Sequence, residues 1–169
     1  MGREIRRVPP YWKHPVDSDG EYLPMYDEDF ETAGNRWADS CVQWNNGTHK
    51  DLIGHPEYKE EYPYFWQWAG DPPDDEYYRP KFTEEPTWYQ VYQTVSEGTP
   101  VTPPFATKEE LVNYLVEHGD FYDQKHGYGG WKRKNAESFV ESGWSPTGMI
   151  TNQGYVSERD IDLDDLEQK

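Results

Sequence analysis

Thr87-Trp88-Tyr89-Gln90-Val91-Tyr92-Gln93-Thr94-Val95 leads through Ser96-Glu97-Gly98-Thr99-Pro100 to Thr107-Lys108-Glu109-Glu110-Leu111-Val112-Asn113-Tyr114-Leu115-Val116-Glu117-His118-Gly119. Here the pattern changes most cleanly from strand to capped helix. Residues 87–95 alternate aromatic or β-branched side chains with polar ones, the period-two signature of a half-buried strand. Ser96 to Pro100 breaks that strand, and Pro103-Pro104 keeps the chain extended. Thr107 with Glu110 three residues on is a capping box: the threonine oxygen takes one free amide and the glutamate reaches back to another. Leu111, Val112, Leu115 and Val116 then form one apolar helix face, and Gly119 ends it. The stretch is a unit of core, and its residues carry no catalytic pattern.

Outward from this unit, a chain of 169 residues has the length of one ordinary domain. The expected fold is α+β: a single domain over residues 1–157, with a small, mostly antiparallel sheet, about three helices and a long ordered aromatic and acidic loop region, followed by an acidic tail at 158–169. The chain has 33 acidic against 16 basic side chains, a formal net charge of -17. A surface this negative lacks the basic footprint that phosphate binding requires, so nucleic acid is not expected as a direct ligand. Acidity on this scale serves solubility, or docking on a basic partner by imitation of nucleic acid. The mean hydropathy of -1.14 would suit disorder, but 8 Trp, 14 Tyr and 6 Phe argue for order. Such rings bury much apolar area while leaving polar edges at the surface, and they are favoured anchors at protein interfaces.

The lone Cys41 rules out an internal disulfide framework and a cysteine-based zinc site. No apolar run reaches the length of a membrane span and the N-terminus lacks a signal-peptide core, so the expectation is a soluble, intracellular protein with no membrane partner. Arg3, Arg6, Arg7 and Lys13 make the first fourteen residues the one basic stretch; Val8-Pro9-Pro10-Tyr11-Trp12 reads as a strand or strap that neutralises acidic neighbours. Asp17, Asp19, Glu21 and Glu28 mimic calcium-loop spacing. Tyr22 stands where that loop needs glycine, so Asp19-Gly20 is read as a tight turn.

Phe30, Ala33, Trp37, Cys41 and Trp44 recur at helical spacing, predicting a helix from Asp29 to Trp44 capped by Asp27 or Asp29 and ended by Asn46-Gly47. A third helix is predicted over residues 131–142 with Ala136, Phe139 and Val140 inward. Lys132-Arg133-Lys134 in its first turn opposes the helix dipole and calls for acidic neighbours. Residues 144–157 read as a hairpin turning at Asn152-Gln153-Gly154, and Ile161, Leu163 and Leu166 as docking points of the tail.

Residues 49–86 have no sustained periodicity and alternate acidic with aromatic clusters. Nine acidic residues between Glu57 and Glu85 face only Lys59, Arg79 and Lys81. A connection this long in a compact domain is functional or disordered; its aromatics argue for order, and it is read as the functional surface, with a lid over the core as the alternative. The candidate contact residues are therefore Tyr64, Trp66, Trp68, Asp74, Asp75 and Glu76.

Catalytic signals are weak. His14, His49, His55, His118 and His126 show no helical ligand spacing, no glycine loop follows a strand to cradle phosphate, and no serine sits in a nucleophile elbow. No catalytic residue, metal or cofactor is assigned. The alternative is a small-molecule or nucleotide binder, or an enzyme, with a Tyr/Trp-lined pocket worked by His49, His55 or His126.

Arg3-Glu4-Ile5-Arg6-Arg7-Val8-Pro9 followed by Trp12, His14 and Pro15, and Ser96-Glu97-Gly98-Thr99-Pro100 followed by Pro103, Phe105, Thr107, Glu109, Glu110, Leu111 and Leu115, cover about a quarter of the chain. These blocks resemble those of small acidic proteins encoded by bacteriophages, prophages and integrative elements. Tyr114 stands where that family commonly has tryptophan. The resemblance implies a genomic setting and the cytoplasm of a bacterial host, and carries over no catalytic residue. The expected function is a non-enzymatic accessory protein that binds and inhibits a host protein with a basic or nucleic-acid-binding surface. A virion or assembly component is a third reading, which stable homo-oligomers would mark.

Overall fold

A computed structural model describes residues 2–95, 97–151 and 154–160. The strands are β1 (Gly2–Val8), β2 (Tyr26–Asp29), β3 (Tyr78–Arg79), β4 (Trp88–Gln93), β5 (Thr99–Pro100), β6 (Trp144–Pro146), β7 (Gly148–Thr151) and β8 (Gly154–Ser157). The helices are α1 (Phe30–Asn45), α2 (Lys50–Gly54), α3 (Tyr58–Glu61), α4 (Phe65–Ala69), α5 (Lys108–His118), α6 (Phe121–His126) and α7 (Arg133–Ser142). The fold is α+β, as its patterning predicts. The chain gathers into two compact units: unit 2 is Tyr26–Lys81, and unit 1 joins the residues up to Met25 with those from Phe82 onward.

Unit 1 is built on an antiparallel sheet of order β5-β4-β1-β6. The predicted strand is β4, paired with β1 in the register Arg3↔Gln93, Ile5↔Val91 and Val8↔Trp88. The predicted capping box is present: the Thr107 Oγ1 accepts from the Glu110 amide at 3.1 Å, and the Glu110 carboxylate accepts from the Thr107 amide at 3.0 Å. Leu111 and Leu115 of α5 are fully buried with Val91, Val101, Trp131, Ala136, Phe139 and Val140. The inward residues of α7 are those its spacing selected.

The strand expected over residues 8–12 lies earlier: β1 ends at Val8, and Pro9 to Trp12 forms a turn closed by the Trp12 amide donating to the Pro9 carbonyl at 3.1 Å, with Tyr11 at φ 58°. β1 lies between β4 and β6, at the middle of the sheet. Its arginines are accommodated there because aromatic faces and oxygens receive them. Arg6 lies 4.3 Å from the Tyr92 ring centroid and donates to Glu4 (2.6 Å), the Met25 carbonyl (2.6 Å) and the Glu97 carbonyl (2.8 Å). Arg7 lies 4.2 Å from the centroid of Tyr89. The Asp19-Gly20 turn forms as predicted: Val16 bridges Tyr22, Asp17 Oδ1 accepts from the Asp19 and Glu21 amides, and Gly20 has φ of 84°. The bases at the start of α7 meet acid where Arg133 pairs with Glu137 at 3.7 Å; Arg133 also donates to Asn113 Oδ1 at 2.9 Å, and Lys132, the N-cap, to the Asp160 backbone carbonyl at 3.3 Å. β7 and β8 form the expected hairpin; Asn152 and Gln153 of its turn, Ser96 and the tail residues Ile161, Leu163 and Leu166 lie outside the described residues.

A polar network sits beneath Trp12. The His14 ring, 7% exposed, meets the Tyr92 hydroxyl at 3.1 Å and the Leu23 carbonyl at 2.7 Å. The Tyr92 hydroxyl gives its single proton to Gln90 Oε1 at 3.1 Å and accepts from Trp12 Nε1 at 3.3 Å, and the His14 Nε2–H donates to the Leu23 carbonyl. Burial lowers the His14 pKa from the ordinary 6.5; the Leu23 hydrogen bond opposes this and Arg6 reinforces it. The native state thus binds fewer protons here than the unfolded chain, so this contribution is present above 6.5 and is lost as pH falls through the folded value. The urea midpoint is expected to drop between about pH 7.5 and about pH 5.5, and to drop less in His14→Gln. Equal slopes for both proteins would show that His14 titration is not the cause.

Unit 2 is organised by α1, whose start Asp29 caps by accepting from the Thr32 amide at 3.1 Å. Trp44 is fully buried with Leu52 and Phe65, and Trp37, Cys41, Tyr58 and Tyr62 pack on them. Phe30, expected inward, is exposed and contacts Tyr78, at the end of the helix remote from that cluster. The irregular region after α1 is ordered, as its aromatics imply: α2, α3, α4 and a 3-10 turn at Asp75–Tyr77 are joined by loops. Helices of four or five residues are too short to display a period. A short parallel pair, β2 with β3, places Tyr26 opposite Tyr78.

Candidate binding cleft

A cleft of about 700 Å³ opens in unit 2. Its aromatic walls come from Trp37 on α1, Phe65 and Trp68 on α4, and Tyr77 and Tyr78 after the 3-10 turn; Asp51, Asp71 and Asp74 supply carboxylates. The local sequence explains each wall. In α4, Phe65 and Trp68 are three residues apart and share a face, while Trp66 between them points away. Gln67 Oε1 fixes the helix start by accepting from the Tyr64 amide at 3.1 Å. Pro72-Pro73 holds the following segment extended along the rim.

Trp68 is locked in place. Its ring stacks on Tyr58 at 4.6 Å and on Trp44 at 6.0 Å, and its Nε1 donates to Asp51 Oδ2 at 3.3 Å. His49 is buried against Trp44 and Phe65, and its Nδ1 accepts from the Asp51 amide at 3.3 Å to cap α2. That is a packing role. Two cations also line the cleft: Arg36 is held by both carboxylate oxygens of Glu28, and Lys50 is exposed.

Of the six contact residues named from sequence, Trp68 and Asp74 line this cleft. Tyr64, Trp66, Asp75 and Glu76 belong to the exposed surface of the same unit. Tyr64 and Trp66 are 59% and 55% exposed and stack on one another at 6.5 Å with ring planes 11° apart. Asp74 also caps the 3-10 turn by accepting from the Glu76 amide at 3.2 Å. The histidines of the alternative reading are not gathered. His49 lines the cleft, His55 stacks on Tyr58 and meets Glu57, and His126 belongs to unit 1 between Tyr122 and Tyr128. Among the described residues no three His, Cys, Asp or Glu side chains converge on a metal position, and no helix is long and apolar enough to cross a membrane.

Sequence reasoning passed over Trp37, Tyr77 and Asp71 as cleft residues. It also passed over a buried charge cluster in unit 1, beside a cavity of about 260 Å³. There Arg3 Nε donates to Asp120 Oδ2 at 2.5 Å, Trp131 Nε1 donates to Asp123 Oδ2 at 2.7 Å, and Arg159 donates to Asp123 Oδ1 at 2.9 Å. Asp120 and Asp123 also form the capping box of α6. Burial pushes the Asp120 carboxyl above its ordinary range, against the pull of Arg3 and the Asp123 amide, while the Asp123 charge adds to the rise. The Asp120-x-x-Asp123 spacing after Gly119 was the available signal. Every oxygen of this pair is taken by the fold, so the cluster is a structural joint. No family model matches the chain, and no curated protein or solved structure shows significant similarity to it.

Proposed function

We propose that this protein is a non-catalytic binding module, encoded by a bacteriophage or related mobile element, that docks on and inhibits a basic host protein through unit 2. The observation that carries the reading is the exposed Tyr64–Trp66 stack on a unit with thirteen acidic and five basic side chains, a net of -8 in Tyr26–Lys81. Large apolar rings left in water on a strongly charged surface are the composition of an interface: the charge speeds encounter and the rings supply the affinity. Three of the five cations of the unit are already paired within it, Arg36 with Glu28, Arg79 with Asp27 and Lys81 with Glu31. Asp39, Asp71, Asp75 and Glu76 are exposed acids of the same unit, open to a partner.

Affinity capture from host lysate at low and at high salt tests this. One stoichiometric basic protein, released as salt rises, is the expected result. Tyr64→Ala/Trp66→Ala is expected to weaken that complex by about 2 kcal/mol or more while leaving the thermal midpoint unchanged, because both rings are exposed in the free protein. Undiminished capture by this variant counts against unit 2 as the docking face. The cleft favours a second reading, a small-molecule site, and native mass spectrometry of the purified protein would reveal a retained ligand.

A further inference from the structure

We propose that the cleft of unit 2 takes an arginine side chain from a basic segment of the partner protein. This rests on the docking reading above and adds the chemistry of its central contact. The cleft offers both things a guanidinium needs: a flat aromatic face and carboxylates at its edge. Most rings of the unit are spent on one another: Trp37 packs on Phe65, Tyr78 on Tyr26 and Phe30, and Trp68 between Tyr58 and Trp44. Tyr77 is the exception. It lines the cleft, is 41% exposed, and makes no ring contact among the described residues.

Carboxylates line the same cleft. Asp74 uses Oδ1 to cap the turn that carries Tyr77, which leaves Oδ2 for a ligand, and Asp71 is exposed across Pro72-Pro73. Asp51 adds a third negative charge, whereas the charge of Arg36 is already met by Glu28. Lys50 alone opposes a cationic guest. The balance of the lining is negative, within a unit of net charge -8. An anionic ligand would meet these carboxylates unshielded, and an uncharged one would leave them desolvated and unpaired. Arginine is favoured over lysine because its planar, weakly hydrated group lies flat on a phenol ring while forking into a carboxylate, whereas a compact ammonium gives up more water to enter.

The test uses the whole 169-residue chain and N-acetyl-arginine amide, with the lysine and citrulline analogues as controls, followed by NMR. Saturable binding of the arginine probe is expected with a Kd on the order of 1 mM, as suits a ligand of this size. The lysine analogue should bind more weakly and citrulline not measurably. Shifts should centre on Tyr77 and the Trp37 and Trp68 indoles. Asp71→Asn/Asp74→Asn should weaken binding by about 10-fold, since asparagine keeps the cap and removes the charge. Lys50→Gln should tighten it by about 2-fold as the opposing charge is removed. Arginine-selective binding at these residues supports the inference whether or not a partner has been captured. Equal affinity for citrulline, shifts confined to other surfaces, or no saturable binding overturns it, and the docking reading then stands or falls on the capture experiment alone.

Discussion

Gly130→Ala is expected to lower the stability of unit 1 by about 3 kcal/mol or more, read as a drop in the urea midpoint. A Cβ built at this position lies 1.9 Å from the Val116 carbonyl oxygen and 2.6 Å from its carbon. Both obstacles are backbone, so no side chain can swing away to relieve them. The contact is tight because the chain is pinned there: the Leu115 carbonyl accepts from both the Gly119 and the Trp131 amides, each at 2.9 Å. Trp131, 3% exposed, enters the core directly from this point. An added methyl group must separate the end of α5 from the segment that delivers Trp131. Gly127→Ala is the control. Its Cβ meets nothing within 4 Å, but φ is 68°, so only the left-handed penalty of about 1 kcal/mol should appear. Similar losses for the two variants would mean that the α5 contact yields more easily than its geometry implies.

Asp120→Ala is expected to cost about as much, for an electrostatic reason. Arg3 and Asp120 are 5% and 0% exposed, and their contact joins β1 to the start of α6. Removing the carboxylate deprives a buried guanidinium of this counter-charge, a loss of about 3 kcal/mol, and removes the oxygen that caps the Asp123 amide at 2.8 Å. Asp120→Asn separates the two effects, since the amide oxygen can still cap but carries no charge. The double variant Arg3→Met/Asp120→Asn should recover much of the loss, because neither buried charge remains. Losses that simply add would show that Arg3 draws its stabilisation from elsewhere. Equilibrium unfolding of these variants and of Arg3→Met alone, in one buffer, completes the cycle.

Elements with a long repeating pattern were legible in the sequence. Leu111, Val112 and Leu115 behind the Thr107 capping box, Ala136, Phe139 and Val140 of α7, and the β4 alternation all declare which face is buried, because local periodicity and burial coincide there. α1 was legible with one exception, Phe30, which has helical spacing but lies beyond the reach of the Trp44 cluster. The central place of β1 was not legible. Arg3-Glu4-Ile5-Arg6-Arg7 has the polarity of an exposed strand, and its burial depends on Tyr92, Trp131 and Asp120, far along the chain.

The candidate site divides in the same way. Composition and order marked residues 49–86 as an aromatic, acidic surface, and Tyr64 and Trp66 are indeed presented to solvent. Sequence alone determined the α+β class, the excess of negative charge and the region where rings and acids coincide, because these are sums or local repeats. Only tertiary structure decided that Trp68 is locked between two other rings, that His49 caps a helix, and that Trp37, Tyr77 and Asp71 share a cleft. Trp37 sits on a helix whose period marks it only as core-facing, Asp71 and Tyr77 lie in a stretch with no regular spacing, and side chains brought together by packing leave no common period to read.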